Sequence, residues 1–289
     1  MRFAIATVDR YQLVLDAFVE AGWEPVKIFS TNLLSPRDSN STMLSRAEQL
    51  RVPIQLSRIV PDDLADLARM GCVALVVAGH PWRVPDWRKY MPYAINFHPS
   101  PLPLARGPYP QCRAIRERRR EWGVTFHKLA LEFDSGDVLA QSHFPMHEHE
   151  THESLELKIQ LALAPLALQV ARELPTLWAA ATPQQGGEYW PYDTDADRTL
   201  DFSQSVDEIM LTVRSCGLLE CIAPLPDNTL HVSRAEAWQQ QHLFEPGTLV
   251  HRHGRQLIVA ARDGFVALLD WSPLSAEARR MQRRRSGQG

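Results

Sequence analysis

INFHPSPLP, residues 95–103, decides how this chain is read. An apolar run ends on two polar side chains, Asn96 and His98, and passes straight into a loop carrying Pro99, Pro101 and Pro103. Residues two apart on a strand point to the same side, so the asparagine and histidine form a pair at a strand end. Just upstream, VALVVAG (73–79) is the most strand-like run in the chain. Further out, RFAIAT (2–7), EPVKIFS (24–30), GVTFHKL (123–129) and VLAQSHFPM (138–146) read as strands. YQLVLDAFVEAG (11–22), TMLSRAEQLR (42–51) and DDLADLARMG (62–71) have helical spacing, and PQCRAIRERRRE (110–121) reads as a helix opened by a proline. Residues 152–180 predict a long amphipathic helix with Pro165 as a kink point. Strands alternating with helices predict an α/β, Rossmann-like, mostly parallel sheet with helices on both faces. Ligands of such sheets bind at the carboxyl ends of the strands, where Asn96 and His98 fall.

The remainder differs in texture. ATPQQGGEYWPYDTDADRTL (181–200) is rich in glycine, proline and polar residues and reads as a linker, with boundaries at 183–204. Ser205 and Glu208 have the spacing of a capping box at the start of a short helix. Short strands follow at 229–238, 247–254, 256–264 and 265–271, with turns at Gly254 and Asp263-Gly264 that suit hairpins. This organisation predicts a first domain over 1–182, a small β domain over 205–278 and a basic tail over 279–289.

At 289 residues, 45% hydrophobic and 22% charged, the chain has enough apolar material for a sizeable core. A formal charge of −3 gives no pointer to nucleic acid. Arg113, Arg116, Arg118, Arg119 and Arg120 crowd one segment, and the tail reads RRMQRRRSGQG. Such clusters read first as a solvated helix face and a frayed end, and alternatively as a phosphate-contacting surface. Cys72, Cys112, Cys216 and Cys221 contain no CxxC pair and read as reduced thiols of a cytoplasmic protein. The first strand is too short and too charged for a signal peptide, and no run reaches 18 apolar residues, so no membrane span is expected.

No GxGxxG follows the first strand, and neither GxxxxGK[ST] nor GxSxG occurs, so the usual dinucleotide, P-loop and serine-elbow readings fail. LEFDSGD (131–137) instead puts Asp134 in a turn between two strands. A histidine to move protons, an asparagine amide to donate to a developing oxyanion and a carboxylate to orient the imidazole suffice for acyl transfer to an amine. The structural alternative is a hydrogen-bonded pair at a strand end beside a common turn.

INFHPSPLPLARGPYP followed by GVTFHKLALEFDSGDVL resembles the formyltransferases that use 10-formyltetrahydrofolate. The shared positions are Asn96, His98, Ser100, Leu102, Pro103, Gly107, Gly123, Thr125, Asp134 and Gly136, with 36 residues from His98 to Asp134. RTLDFSQSVDEIMLTVRSC and PGTLV…QLIVAARDGFVALL resemble the stretch leading into that family's OB-like C-terminal domain and its strands. The resemblance implies catalytic roles for Asn96, His98 and Asp134. It implies a folate site in the loops Gly79, His80, Pro81, Trp82, Arg83, Val84 and Leu131, Glu132, Phe133, Ser135, with 10-formyltetrahydrofolate as formyl donor. Ser100, Arg106, Gly107, Thr125 and His127 fall on the acceptor side; His127 could equally pack as a core imidazole, and Arg106 or Arg113 could meet an acceptor phosphate or a surface carboxylate. Pro101, Leu104 and the two prolines and Trp82 of AGHPWRVP depart from the family's usual pattern.

The methionyl-tRNA enzymes of the family carry a longer basic insertion after the second strand. Here STNLLSPRDSNS (30–41) is short and holds one arginine, which points away from tRNA and toward a small-molecule amine, as in the nucleotide-amino-sugar and hydroxyornithine enzymes. A homodimer is compatible with this layout. Methionyl-tRNA formylation, a non-catalytic folate binder and a formyltetrahydrofolate hydrolase are the alternatives. His143, His147, His149 and His152 read as a strand edge rather than a metal site, so no metal is expected, and Trp82, Trp87 and Trp190 read as packing or as cover for a ligand.

Overall fold

The computed structural model describes residues 1–31 and 39–285 and divides into two compact units. The first comprises Met1–Pro110, Glu121–Pro145 and Glu156–Pro191, and the second Gln111–Arg120, Met146–Leu155 and Tyr192–Gly289. Most of the polar loop expected over 30–41 lies outside the described residues.

The first unit is built on seven strands: β1 (Arg2–Thr7), β2 (Glu24–Phe29), β3 (Ile54–Gln55), β4 (Ala74–Ala78), β5 (Tyr93–His98), β6 (Glu121–Lys128) and β7 (Val138–Pro145). Their order is β3-β2-β1-β4-β5-β6-β7. The strands are parallel through β5, and β6 and β7 add an antiparallel edge. All five residues of β4 are buried, as a central parallel strand covered on both faces requires. The alternation of side chains sorts the neighbours. Ala4, Ala6, Leu75 and Val77 pack with Leu64 and Leu67 and with Trp87 and Met91. On the other face Phe3 meets Phe18 and Trp23 at ring separations of 5.2 and 6.1 Å. The helices α1 (Gln12–Glu20), α2 (Ser41–Leu50) and α3 (Pro61–Arg69) thus alternate with the parallel strands, as the sequence pattern predicts.

Helix α4 spans Pro110–Arg116, and α5 runs His152–Ala179 as one helix through both Pro165 and Pro175. By length and composition α5 could cross a membrane. Its apolar content here is a core stripe: Ile159, Leu163, Leu166, Val170 and Leu174 are buried, and the Trp23 indole donates to Ala171 O at 2.8 Å.

The second unit holds α6 (Asp195–Arg198), α7 (Val206–Cys216), an antiparallel sheet of order β10-β11-β12-β9-β8, and α8 (Ala276–Arg285). Its strands are β8 (Cys221–Leu225), β9 (Asn228–Gln239), β10 (Leu249–His253), β11 (Gln256–Ala260) and β12 (Gly264–Ser272). Ile209 and Val213 of α7 share a core with Val232, Val259, Val266 and Leu268. β8 is not among the strands expected from the sequence; it carries Pro224 and is an edge, where proline is tolerated. Ser205 caps α7 by accepting from Glu208 N at 3.3 Å, but the Glu208 carboxylate pairs with Arg118 instead of completing a capping box. The arginine-rich segment is largely ion-paired: Arg116 forks onto Asp193 at 2.6 and 2.8 Å, and Arg113 and Arg119 both reach Glu117.

Candidate active site

The strand register brings the polar residues together. Asn96 on β5 lies opposite His127 on β6, and His98 lies opposite Thr125. Directly opposed residues share a face, so the Asn96 amide nitrogen sits 3.0 Å from His127 Nε2. His127 Nδ1 lies 2.8 Å from Lys128 O; if it carries the proton there, Nε2 is left to accept from Asn96. His127 is fully buried and bonded through both ring nitrogens, as a packed core imidazole would be.

Asp134 comes from the turn between β6 and β7. It holds a left-handed backbone conformation, φ 55°, uncommon for a residue with a side chain. Its Oδ1 accepts from Asn96 Nδ2 at 3.2 Å, and its Oδ2 accepts from Gly107 N at 2.9 Å. Oδ2 is also 3.6 Å from His98 Nδ1, and Oδ1 is 3.6 Å from His127 Nε2. On the far side of its ring, His98 Nε2 lies 2.9 Å from Ala105 O. Donation to that carbonyl leaves Nδ1, the nitrogen facing the carboxylate, as the position where the imidazole gains a proton.

Burial pulls the His98 pKa down, and Asp134 and the Ala105 carbonyl partly restore it; the net result is lowered. Burial acts on Asp134 in the opposite sense, but His98, His127 and the Gly107 amide outweigh it and hold the carboxyl well below the usual carboxylate range. The lowered carboxyl keeps Asp134 ionised beside the imidazole, so a proton it takes up during a reaction is readily given back.

The proline loop is braced internally. Thr125 donates to Ser100 O at 2.7 Å, accepts from Leu102 N at 3.2 Å and also accepts from Gln141 Nε2 at 2.7 Å. Ser100 donates to Leu104 O at 2.8 Å, and the Leu102–Pro103 peptide is cis. Both hydroxyls therefore shape the loop that presents Ala105 and Gly107. Arg106 turns away from the carboxylate: its Nε donates to Gln184 Oε1 and its Nη2 to Gly186 O.

The loop after β4 leaves the sheet beside His98, and Arg83 ties it to the Asp134 turn, donating to Leu131 O at 3.1 Å and lying over the Phe133 ring at 4.5 Å. Leu131, Glu132 and Phe133 are exposed, and Ser135 donates to Glu132 O. Gly79 needs its missing side chain: φ is 74°, and a Cβ would stand 2.8 Å from the Tyr11 ring. His80 has both ring nitrogens buried without a hydrogen-bond partner, with Trp82 edge-on at 5.3 Å. Burial pulls its pKa to about 4. Pro81 and Val84 complete the loop. Of the other tryptophans, Trp190 stacks on Trp122 and Trp87 meets Trp178 edge-on. His143 is held by Glu121 and Gln141, and among the described residues no group of three or more His, Cys, Asp or Glu side chains is placed to hold a metal ion.

Two family models match this chain: formyl transferase over residues 85–168, and the formyl transferase C-terminal domain over 194–282. The first spans the proline loop, the Asp134 turn and strands β5 to β7. The chain belongs to the formyl transferase family. A methionyl-tRNA formyltransferase of Bordetella avium is 26% identical over 296 residues, covering 93% of each chain. Among solved structures, HypX from Aquifex aeolicus in complex with tetrahydrofolic acid superposes with a TM-score of 0.65 at 18% identity. That match covers 94% of this chain and 44% of HypX. An N-formyltransferase from Helicobacter canadensis, in complex with folinic acid and dTDP-3-aminofucose, gives a TM-score of 0.66 at 14% identity, covering 94% of this chain and 99% of that one. At these identities the two structures speak for the fold. The present formyltransferase also has features that its sequence did not signal: the Ala105 carbonyl meets His98, and Gln184 holds the Asp134 turn. The one legible hint was Gly186-Gly187, both with positive φ, where a Cβ on Gly187 would stand 2.4 Å from Pro103 O.

Proposed function

We propose that this formyltransferase moves a formyl group from 10-formyltetrahydrofolate to a primary amine or hydroxylamine of a small-molecule acceptor, giving an N-formyl product and tetrahydrofolate. The observation that carries this reading is the convergence of Asn96, His98 and Asp134, with the carboxylate fixed by Asn96 and the Gly107 amide and facing His98 Nδ1. The donor supplies an acyl carbon already activated by its nitrogen, so no covalent nucleophile of the protein is required. The C–N bond to the donor breaks, the C–N bond to the acceptor forms, the acceptor amine gives up one proton and the leaving nitrogen gains one. Asp134 accepts the amine's proton through a water and returns it to the leaving nitrogen, His98 protonated at Nδ1 steadies negative charge on the formyl oxygen, and Asn96 donates to the same oxygen after releasing one of its two present partners.

The donor fits the residues present. The loops 79–84 and 131–135 lie at the sheet end beside the trio and are bridged by Arg83. The unpartnered nitrogens of His80, neutral near pH 7, offer one donor and one acceptor to a heterocyclic edge. Solved relatives whose structures hold tetrahydrofolic acid or folinic acid share this fold.

A small acceptor is favoured by the sequence of the loop over 30–41, by the ion-pairing of much of the arginine-rich segment, and by the aminosugar nucleotide bound in the Helicobacter canadensis enzyme. Methionyl-tRNA is the second reading, favoured by the name of the Bordetella avium relative. The four buried cysteines fit a reducing, cytoplasmic setting. The test is tetrahydrofolate release, followed by absorbance, with 10-formyltetrahydrofolate and a panel of nucleotide-linked aminosugars, hydroxyornithine, charged methionyl-tRNA and no acceptor. His98→Ala runs in parallel. Release that needs a small amine and vanishes in the variant supports the proposal. Release that needs the tRNA overturns the small-acceptor part, and release with no acceptor makes the protein a hydrolase.

A further inference from the structure

Residues 182–190, TPQQGGEYW, have the composition of a linker but the hydrogen bonds of a strap. Thr182 exchanges backbone bonds with Val138 at 2.8 and 2.9 Å. Arg106 N donates to Glu188 O and Trp190 N donates to Arg106 O, at 3.0 and 2.7 Å. Gly187 passes so close to Pro103 that no side chain fits. The strap is therefore paired both with the strand after the Asp134 turn and with the loop that supplies the Gly107 amide.

Gln184 sits where the two meet. Its Nε2 donates to Asp134 O at 2.9 Å and to Gly136 O at 2.6 Å, which occupies both amide protons. Its Oε1 accepts from Arg106 Nε at 3.0 Å, and Arg106 Nη2 continues to Gly186 O at 2.9 Å. The two carbonyls it holds flank Ser135 and belong to the turn in which Asp134 keeps its left-handed φ of 55°. Arg106, which it also holds, is the neighbour of Gly107, whose N–H fixes Asp134 Oδ2.

We propose that Gln184 is a positioning residue for Asp134, clamping the carboxylate's own turn and the loop that hydrogen-bonds the carboxylate into one rigid unit. A carboxylate carried by a strained turn relaxes once the turn's carbonyls lose the donors that hold them, and its distance to His98 Nδ1 grows. The groups that act on His98 electrostatically are Asp134 and His127, and the clamp bears on the first.

The kinetic arm of the test rests on the formyl-transfer reading; the titration arm does not. Gln184→Met keeps the shape and removes every hydrogen bond. Gln184→Glu keeps the acceptor for Arg106 and removes both donors. In the full chain, the imidazole of His98 is titrated by NMR without any substrate, and kcat and KM are measured with 10-formyltetrahydrofolate and the accepted amine. Both variants are expected to lose roughly 10- to 100-fold in kcat with KM changed by less than about two-fold. The His98 midpoint falls in Gln184→Met, because the carboxylate that raises it is no longer held close, while the melting temperature barely moves. Unchanged kcat and an unchanged His98 midpoint overturn the proposal. So does a loss of kcat that follows the melting temperature with the His98 midpoint intact, since that is a general structural role. If Gln184→Glu alone retains wild-type kcat, the Arg106 link is what matters and the clamp on the turn is overturned. If the wild type transfers formyl to none of the acceptors but the midpoint still falls, the positioning role stands and the formyl-transfer reading fails. Should Gln184→Met not fold, the kcat of Gln184→Glu decides.

Discussion

Replacing Asp134 by asparagine removes one charge and little volume from the centre of the site. The carboxylate stands 3.6 Å from His98 Nδ1, and the two side chains are only 10% and 6% exposed. At an effective dielectric of about 20, opposite unit charges at that separation attract by about 4–5 kcal/mol. The attraction exists only while His98 carries its proton, the form the proposed mechanism requires as charge develops on the formyl oxygen, so its loss falls on the barrier. At about 1.4 kcal/mol per decade it amounts to roughly a thousand-fold in kcat. The amide brings a second penalty. If its oxygen keeps the bond from Gly107 N, its NH₂ faces the NH₂ of Asn96, which now donates to Oδ1. The sign of the pH effect is fixed by the same geometry. Burial already lowers the His98 pKa and Asp134 raises it, so Asp134→Asn lowers it further and moves the activity profile toward acid. The assay is tetrahydrofolate release against pH, beside NMR titration of the His98 imidazole in both proteins. A variant within about ten-fold of wild-type kcat, with an unmoved His98 midpoint, would refute the electrostatic argument.

Three further outcomes are expected. His80 has a folded-state pKa of about 4 against 6.5 for a free imidazole, so the unfolded chain binds more protons between those values. The stability associated with a neutral His80 is complete above about pH 6.5 and declines as pH falls toward 4, by up to roughly 3 kcal/mol. His80→Phe should flatten that decline in thermal melts at pH 5 and 7, raise stability by removing an unpartnered polar group, and weaken folate binding measured by fluorescence titration; an unchanged pH slope would count against it. Gly136→Ala would place a Cβ 1.9 Å from Lys128 O, so the turn must shift, at a cost of roughly 1–3 kcal/mol in urea unfolding together with loss of activity. Asp193→Ala leaves the Arg116 fork without its carboxylate in a partly buried position and should destabilise the second unit by about 3 kcal/mol, with Asp193→Glu partly restoring it.

The parallel sheet and the strand that matters were legible in local pattern alone. Alternating strand and helix periods, an unbroken apolar run at 73–79 and a polar pair two residues apart at 96 and 98 are local signals, because side-chain direction on a strand follows from the backbone alone. The motif spacing from His98 to Asp134 was equally legible, and the family it pointed to is the family the comparisons show. Tertiary structure decided what each polar group is bonded to. That Asn96 faces His127 depends on the antiparallel register of β5 and β6, and that register is set by pairing between residues about thirty positions apart. That Ser100 and Thr125 brace the loop, and that Arg106 turns toward Gln184 and Gly186, follows from which hydrogen-bonding partners surround them once it is folded. Residues 182–190 show the difference most clearly. Glycine and glutamine there have the composition of a flexible connection, yet the glycines allow close backbone approach and Gln184 saturates two carbonyls and a guanidinium from segments about fifty and eighty residues away. Composition records the freedom of the unfolded chain, whereas a hydrogen bond between distant segments exists only after the sheet has brought them together.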